Sequence, residues 1–275
     1  MDKLTVGITG ANSNLGKLII EFLQQLEGSP RCVLLSSNPK RDQKMFDLEG
    51  ETEFEVIDEC DFLIHCARPI KPTDEKTERE LEILERICSR ETRILNISSV
   101  SGFLDVKNNY GIHKRVIHEW IEERGEINLV AGLIFGDRFE GQIFRMARIL
   151  KRLPIRPQFR NEYEIYLTPV QQILVSIKDV LLRQNLESNF LIGKIPFTTN
   201  QLFRDISREG AMNLKLKSEE VRLLLNFLPP NRYFSSDSFL GLTGRYSELK
   251  TIQDSFLLDT IISDQWKHYI SSLER

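Results

Sequence analysis

The chain is poor in the features that announce specialised proteins. Its four cysteines, Cys32, Cys60, Cys66 and Cys88, form no CxxC pair and have no metal-ligand spacing, so neither a disulfide framework nor a zinc site is expected. Reduced structural thiols in a cytoplasmic protein fit them best. No apolar run approaches the roughly 20 residues that span a bilayer. The first residues enter a strand pattern directly, with no secretory h-region. Low-complexity tracts and internal repeats are absent. There is no basic excess either: the formal net charge is −3 over 275 residues, and the pI is near 5.9. A general nucleic-acid binder, which needs a broad cationic surface for the phosphate backbone, is thereby disfavoured.

What is present is ordinary globular material, 41% hydrophobic and 28% charged, arranged as strands alternating with helices. Leu4-Thr5-Val6-Gly7-Ile8-Thr9 reads as a buried strand. It stops at a small-residue turn, and apolar positions 15, 18, 19, 22, 23 and 26 hold a helical period. Further strands are expected at 32–36, 62–67, 93–97 and 127–135, with helices over 77–89 and 110–124. Parallel neighbours need a crossover, so the alternation predicts an α/β fold, a Rossmann-type doubly wound parallel sheet. After Gly136 the composition shifts to a basic helix and a proline-punctuated stretch. A small C-terminal substrate-binding lobe is expected at 136–162 and 193–275, with 1–135 and 163–192 forming the dinucleotide-binding domain. Segment 165–182 is expected to return to the sheet as a strand and helix.

The turn Thr9-Gly10-Ala11-Asn12-Ser13-Asn14-Leu15-Gly16 lies between the first strand and the first helix. A dinucleotide fold needs glycines there for a tight turn, for approach of the pyrophosphate, and for close helix packing. The helix N-terminus then offers free N–H groups and a positive dipole end. Gly10 and Gly16 fit, whereas Ser13 holds the middle position with a Cβ that restricts positive φ. About 20 residues on, where an acid would grip the 2′-OH of NAD, stand Ser37 and Asn38, with Lys40 and Arg41 after them. The missing acid and the two cations favour NADP over NAD. A tight turn without ligand and a solvated basic loop are the competing readings.

Tyr110 and Lys114 are four residues apart at a helix start and share a face. A phenol is a poor acid–base group at neutral pH unless a cation favours its phenolate, and a lysine one turn away supplies one. Ser99, at the C-terminal end of a strand, can hydrogen-bond a reacting carbonyl oxygen, or simply cap a turn. Arg145, Arg148 and Arg152 recur at one helix face and are candidates for the diphosphate of a nucleotide-linked substrate, against a solvated face. His113 is expected to be exposed and His118 partly buried. Trp120, Trp266 and the apolar stretch 221–228 are expected to serve packing.

Taken together these segments resemble the extended short-chain dehydrogenase/reductase family, the NAD-dependent epimerase/dehydratase group. The likeness runs over most of the chain: the glycine motif, Asp61 to Ala67 as its "DvviHlA" strand, Ile97-Ser98-Ser99, Tyr110/Lys114, Leu133 to Asp137 as its "YGP" segment, Tyr166 to Val170 as its "vdD" strand, and Asn189 to Gly193. It implies an NAD(P)-dependent oxidoreductase or epimerase/reductase with Ser99, Tyr110 and Lys114 catalytic. Its cofactor contacts would be Thr9, Gly10, Asn12, Ser13, Asn14, Leu15, Gly16, Ser37, Asn38, Lys40, Arg41, Cys66 and Ala67, with Tyr110 and Lys114. Its substrate would be nucleotide-sugar-like or a related carbonyl or alcohol, and a homodimer is possible in such a family. The chain departs from the pattern at Ser13, at Ala131-Gly132 where an arginine is usual, and at Gln171-Gln172 where an acid is usual. A non-catalytic NAD(P)-binding regulator or scaffold of the same fold is the alternative.

Overall fold

The computed structural model describes residues 3–69, 71–88, 92–104, 108–183, 189–192, 196–217, 220 and 259–273. Its centre is a seven-stranded sheet made of β1 (Thr5–Thr9), β2 (Arg31–Ser36), β3 (Lys44–Met45), β4 (Phe62–His65), β5 (Arg93–Ser99), β6 (Ile127–Ala131) and β10 (Asn189–Ile192). The strand order is β10-β6-β5-β4-β1-β2-β3, and every pairing is parallel. The order reverses at β1, which lies between β2 and β4, and that reversal opens the crevice where such sheets take ligands.

The crossovers are helices with one apolar face. α1 (Asn14–Gln25) buries Ile19, Ile20 and Leu23, each worth roughly 1.5–3 kcal/mol on leaving water. α2 (Phe54–Ile57) is a single turn, α3 (Asp74–Cys88) precedes β5, and α4 (Asn109–Glu123) precedes β6. Helix α6 (Val170–Arg183) places Ile173, Ile177 and Val180 in the same core as Val6, Ile8 and Leu129. Across the sheet, Val33, Leu63, Ile83, Ile94 and Ile117 form the core on the other face.

The expected strand 127–135 is two strands. β6 ends at Ala131, and β7 (Leu133–Phe135) belongs to a separate three-stranded sheet with β9 (Glu164–Pro169) and β11 (Pro196–Thr198). Gly132 is the joint: a Cβ there would lie 2.2 Å from Tyr166 O, and its N–H donates to Thr168 Oγ1 at 2.8 Å. Segment 164–169 therefore pairs with β7 and β11, and it is α6 and β10 that return to the main sheet. Period-two apolar patterning does not say which sheet a strand will join.

A second core gathers α5 (Gln142–Leu150), β7, β9, α7 (Thr199–Ile206) and α8 (Asp259–Ser272). Trp266 packs edge-on to Phe135 at 5.1 Å and to Phe197 at 5.3 Å, as a packing anchor should. Trp120 is half-buried under the guanidinium of Arg124, 3.9 Å from its ring centroid. β8 (Ile155–Phe159) pairs in parallel with β12 (Met212–Leu216). The stretch 221–228 lies outside the described residues.

Candidate functional site

The glycine turn is tightly built. Gly10 has φ +66, and a Cβ on it would sit 3.2 Å from Ala67 N. A Cβ on Gly16 would stand 2.4 Å from Gly10 O, so α1 starts hard against the turn. Ser13 does not need positive φ. It is the N-cap of α1 at φ −70, its N–H donates to Gly10 O at 2.8 Å, and its hydroxyl accepts from Gly16 N at 3.0 Å. The restriction expected of its Cβ is thus not felt at this position. Leu15 lies in the first turn of α1, half-buried against the core.

Asn12 spans to the end of β2. Its amide donates to Ser36 Oγ and to Asn38 O, both at 2.8 Å, and its oxygen accepts from Gln43 Nε2 at 3.0 Å. Ser37, Asn38, Lys40 and Arg41 are exposed in the loop that follows, and the Lys40 and Arg41 side chains carry no ion pair among the described residues. Asn14 reaches the other way and donates to Glu140 O at 3.0 Å.

Thr9 ends β1 fully buried, and its hydroxyl accepts from Cys66 N and Ala67 N, both at 3.0 Å. This closes the end of β4 onto the glycine turn. Burial pushes the Cys66 thiol up to about 12, with Lys114 opposing, so it stays a protonated structural group. Two residues on, Arg68 holds its guanidinium 5.2 Å from the centroid of the Tyr110 ring.

Ser99 ends β5 and caps a 3₁₀ turn (Val100–Phe103), accepting from Ser101 N at 3.2 Å. That turn carries α4 on its back: a Cβ on Gly111 would lie 2.6 Å from Ser101 O, and Asn108 caps the helix by accepting from Gly111 N. The glycine after Tyr110 therefore seats the first turn of α4 on the chain just after Ser99. One turn on, Lys114 is 4% exposed and donates from Nζ to Ile97 O at 3.1 Å, on the same strand as Ser99. The structure thus brings Ser99, Tyr110, Lys114 and the glycine turn to the carboxyl ends of β1, β4 and β5.

His113 is buried, not exposed, with 1% of its surface accessible. Its Nδ1 lies 3.0 Å from Thr77 Oγ1 and its Nε2 lies 3.5 Å from Glu80 Oε2. Glu80 is itself wholly buried and bonds His65 Nε2 through Oε1 at 3.0 Å. Neither Glu80 nor His65 was singled out by sequence reasoning. A glutamate in the charged run of α3 looks like a solvated face, and only its spacing of three and four from Thr77, Ile83 and Leu84 hinted at the inner side. His118 is also buried, with Nδ1 3.2 Å from Ser98 Oγ. Burial pushes both imidazoles, His113 and His118, down to about 4.

The three arginines separate. Arg148 and Arg152 line a cavity of about 760 Å³ with Lys151, Phe144, Glu140 and Tyr269, while Arg145 stands off its wall. Among the described residues, the Lys151 ammonium and the Tyr269 hydroxyl are buried without a hydrogen-bond partner. Among the described residues there is no cluster of metal ligands, and no helix is long and apolar enough to cross a membrane.

No protein-family model and no curated protein matches the sequence. Solved structures do match the fold. The ADP-L-glycero-D-manno-heptose-6-epimerase of Helicobacter pylori superposes with a TM-score of 0.64 at 14% identity, covering 98% of this chain and 97% of that one. Triphenylmethane reductase of Citrobacter sp., complexed with NADP(H), superposes with a TM-score of 0.64 at 13% identity, covering 95% and 100%. The dTDP-glucose 4,6-dehydratase of Bacillus anthracis, in complex with NAD, gives 0.58 at 11% identity over 87% and 95%. The chain therefore has the Rossmann fold of nucleotide-sugar epimerases and dehydratases and of an NADP(H)-binding reductase.

Proposed function

We propose that the chain is an NAD(P)-dependent oxidoreductase or epimerase/reductase acting on a nucleotide-sugar-like or related carbonyl or alcohol substrate. The observation that carries this is the convergence of the Gly10–Gly16 turn with Ser99, Tyr110 and Lys114 at one end of the sheet, through the Thr9–Ala67 bonds and the Arg68–Tyr110 stack.

The residues present fit a dinucleotide. The turn is close-packed at Gly10 and Gly16, which leaves its outer backbone bare of Cβ atoms at those points. The first turn of α1, from Asn14 and Leu15, would face a pyrophosphate with its dipole, while Ser13 already satisfies the amide of Gly16. Asn12 holds the loop after β2 in place, and Lys40 and Arg41 are free to meet a 2′-phosphate, which favours NADP. When bound, the nicotinamide supplies or takes a hydride. Tyr110 passes the proton to or from the substrate oxygen, Ser99 donates a hydrogen bond to that oxygen, and Lys114 holds the tyrosine's surroundings cationic. Arg148 and Arg152, with Lys151, would hold the anionic part of the substrate in their cavity.

Tyr110→Phe tests the chemistry. Turnover with NADPH should fall by a factor of 10² or more, on the order of one lost acid–base group, with NADPH affinity little changed. A wild-type protein that binds NADPH but turns over none of a panel of nucleotide sugars and small ketones would favour the non-catalytic alternative.

A further inference from the structure

Beneath the glycine turn lies a closed polar chain that the proposed chemistry does not use: Thr9, His65, Glu80, His113 and Thr77, all buried. The direction of its hydrogen bonds follows from counting donors. The Thr9 oxygen already accepts two backbone N–H groups, so its single proton goes to His65 Nδ1, 3.1 Å away. The His65 ring proton must then sit on Nε2, where it donates to Glu80 Oε1.

The other arm mirrors this one. The Thr77 hydroxyl lies 3.0 Å from His113 Nδ1 and 2.8 Å from Thr73 O. Thr73 O already accepts the Thr77 backbone N–H at 3.0 Å, so giving the hydroxyl proton to His113 strands no acceptor. His113 then carries its proton on Nε2, facing Glu80 Oε2. At 3.5 Å those two atoms face each other without a formed hydrogen bond, and neither has another partner among the described residues. An unmet polar pair in a dry interior is costly, which favours a proton between them.

The charges agree with this count. Burial works against the Glu80 carboxylate, yet the hydrogen bond donated by His65, with the positive charge of Lys114, holds it below the ordinary range. Burial keeps His113 neutral against the pull of Glu80, while Lys114 and Arg68 add to that depression. Among the described residues the Lys114 Nζ bonds a neutral carbonyl, Ile97 O.

We infer that Glu80 is a positioning residue for α4: two histidines, one from β4 and one from α4, turn their Nε2–H groups to its two oxygens and fix the helix of Tyr110 and Lys114 against the glycine turn. What α4 is positioned for rests on the function proposed above, but the network itself does not.

The test uses the full chain labelled with ¹⁵N-histidine, without cofactor, in long-range ¹H–¹⁵N spectra between pH 5 and 8. At pH 8 both His65 and His113 should show the Nε2–H pattern, and His113 should keep it down to pH 5. A His113 that titrates in this range, or shows the Nδ1–H pattern, would overturn the inference from the wild type alone. In Glu80→Gln the amide can accept from only one histidine, so the other should switch tautomer. Amide exchange in the first two turns of α4 should then rise at least tenfold, with α1 and α6 unchanged. Glu80→Asp, which keeps the charge, should restore both histidine patterns. Unchanged tautomers and unchanged α4 exchange in Glu80→Gln would refute the positioning role. NADPH binding measured on the same samples is a separate readout: its absence in the wild type would count against the proposed function and leave the histidine result standing.

Discussion

Gly16 stands so close to Gly10 that a Cβ on it would fall 2.4 Å from the Gly10 carbonyl oxygen. No side-chain rotation relieves an overlap with backbone, so the turn and α1 would have to part. Gly16→Ala should cost about 2–3 kcal/mol, at the upper end of overpacking penalties. Gly28 is the control. Unlike Gly16 it has a positive φ, +67, but nothing lies within 4 Å of its Cβ position. Gly28→Ala should cost only about 1 kcal/mol, from backbone strain. Urea unfolding of both variants checks the difference.

The cap at Ser13 gives a second, smaller number. Its hydroxyl satisfies the Gly16 amide at 3.0 Å, so Ser13→Ala should destabilise by about 1 kcal/mol and Ser13→Gly by only a few tenths. If Ser13→Gly instead raised stability, the backbone at Ser13 would be strained after all, against its φ of −70.

Acid should weaken this protein earlier than carboxylate titration alone would. His113 and His118 are pushed by burial down to about 4 in the folded chain, whereas an unfolded histidine titrates near 6.5. As pH falls below about 6.5 the unfolded state takes up these protons first, so stability falls between roughly pH 6.5 and 4 and levels off below. The full depression corresponds to about 3 kcal/mol per histidine. Glu80, held below the ordinary range, adds a further loss at still lower pH. Thermal or urea unfolding as a function of pH should show the decline, and His118→Gln, if it folds, should shallow it. A flat profile from pH 7 to 5 would contradict the burial of both rings.

Much of the fold was legible because the strand and helix periods are clean in the first half of the chain. The turn at Gly10 to Gly16 and the Tyr110–Lys114 spacing also located one end of the sheet. What was not legible depended on contacts between distant segments. The switch at Gly132 is set by Tyr166, thirty-odd residues away. The seating of Gly111 on Ser101 explains that glycine only once α4 is in place. Glu80 was hidden because burial of a charge leaves no trace in composition when its partners, His65 and His113, come from other elements. Of the arginine stripe, α5 carries Arg145 and Arg148 but ends at Leu150, so Arg152 lies beyond the helix rather than on its face, and the wall of the cavity takes Arg148 and Arg152 and leaves Arg145 out.

That division makes a prediction of its own. The double substitution Arg148→Ala and Arg152→Ala should weaken binding of a nucleoside-diphosphate sugar by tenfold or more, on the order of two charge-assisted contacts. Arg145→Ala should change it less than twofold. Equal effects at all three positions would point to a diffuse surface field rather than to the cavity.

The most direct test of the central claim is calorimetric titration of the purified chain with NADPH and with NADH. The account predicts saturable binding of NADPH, with NADH weaker, and a loss of that preference when Lys40 and Arg41 are both replaced by alanine. Heat traces showing no binding of either dinucleotide would contradict it, leaving the fold in place and removing the cofactor on which the proposed chemistry depends.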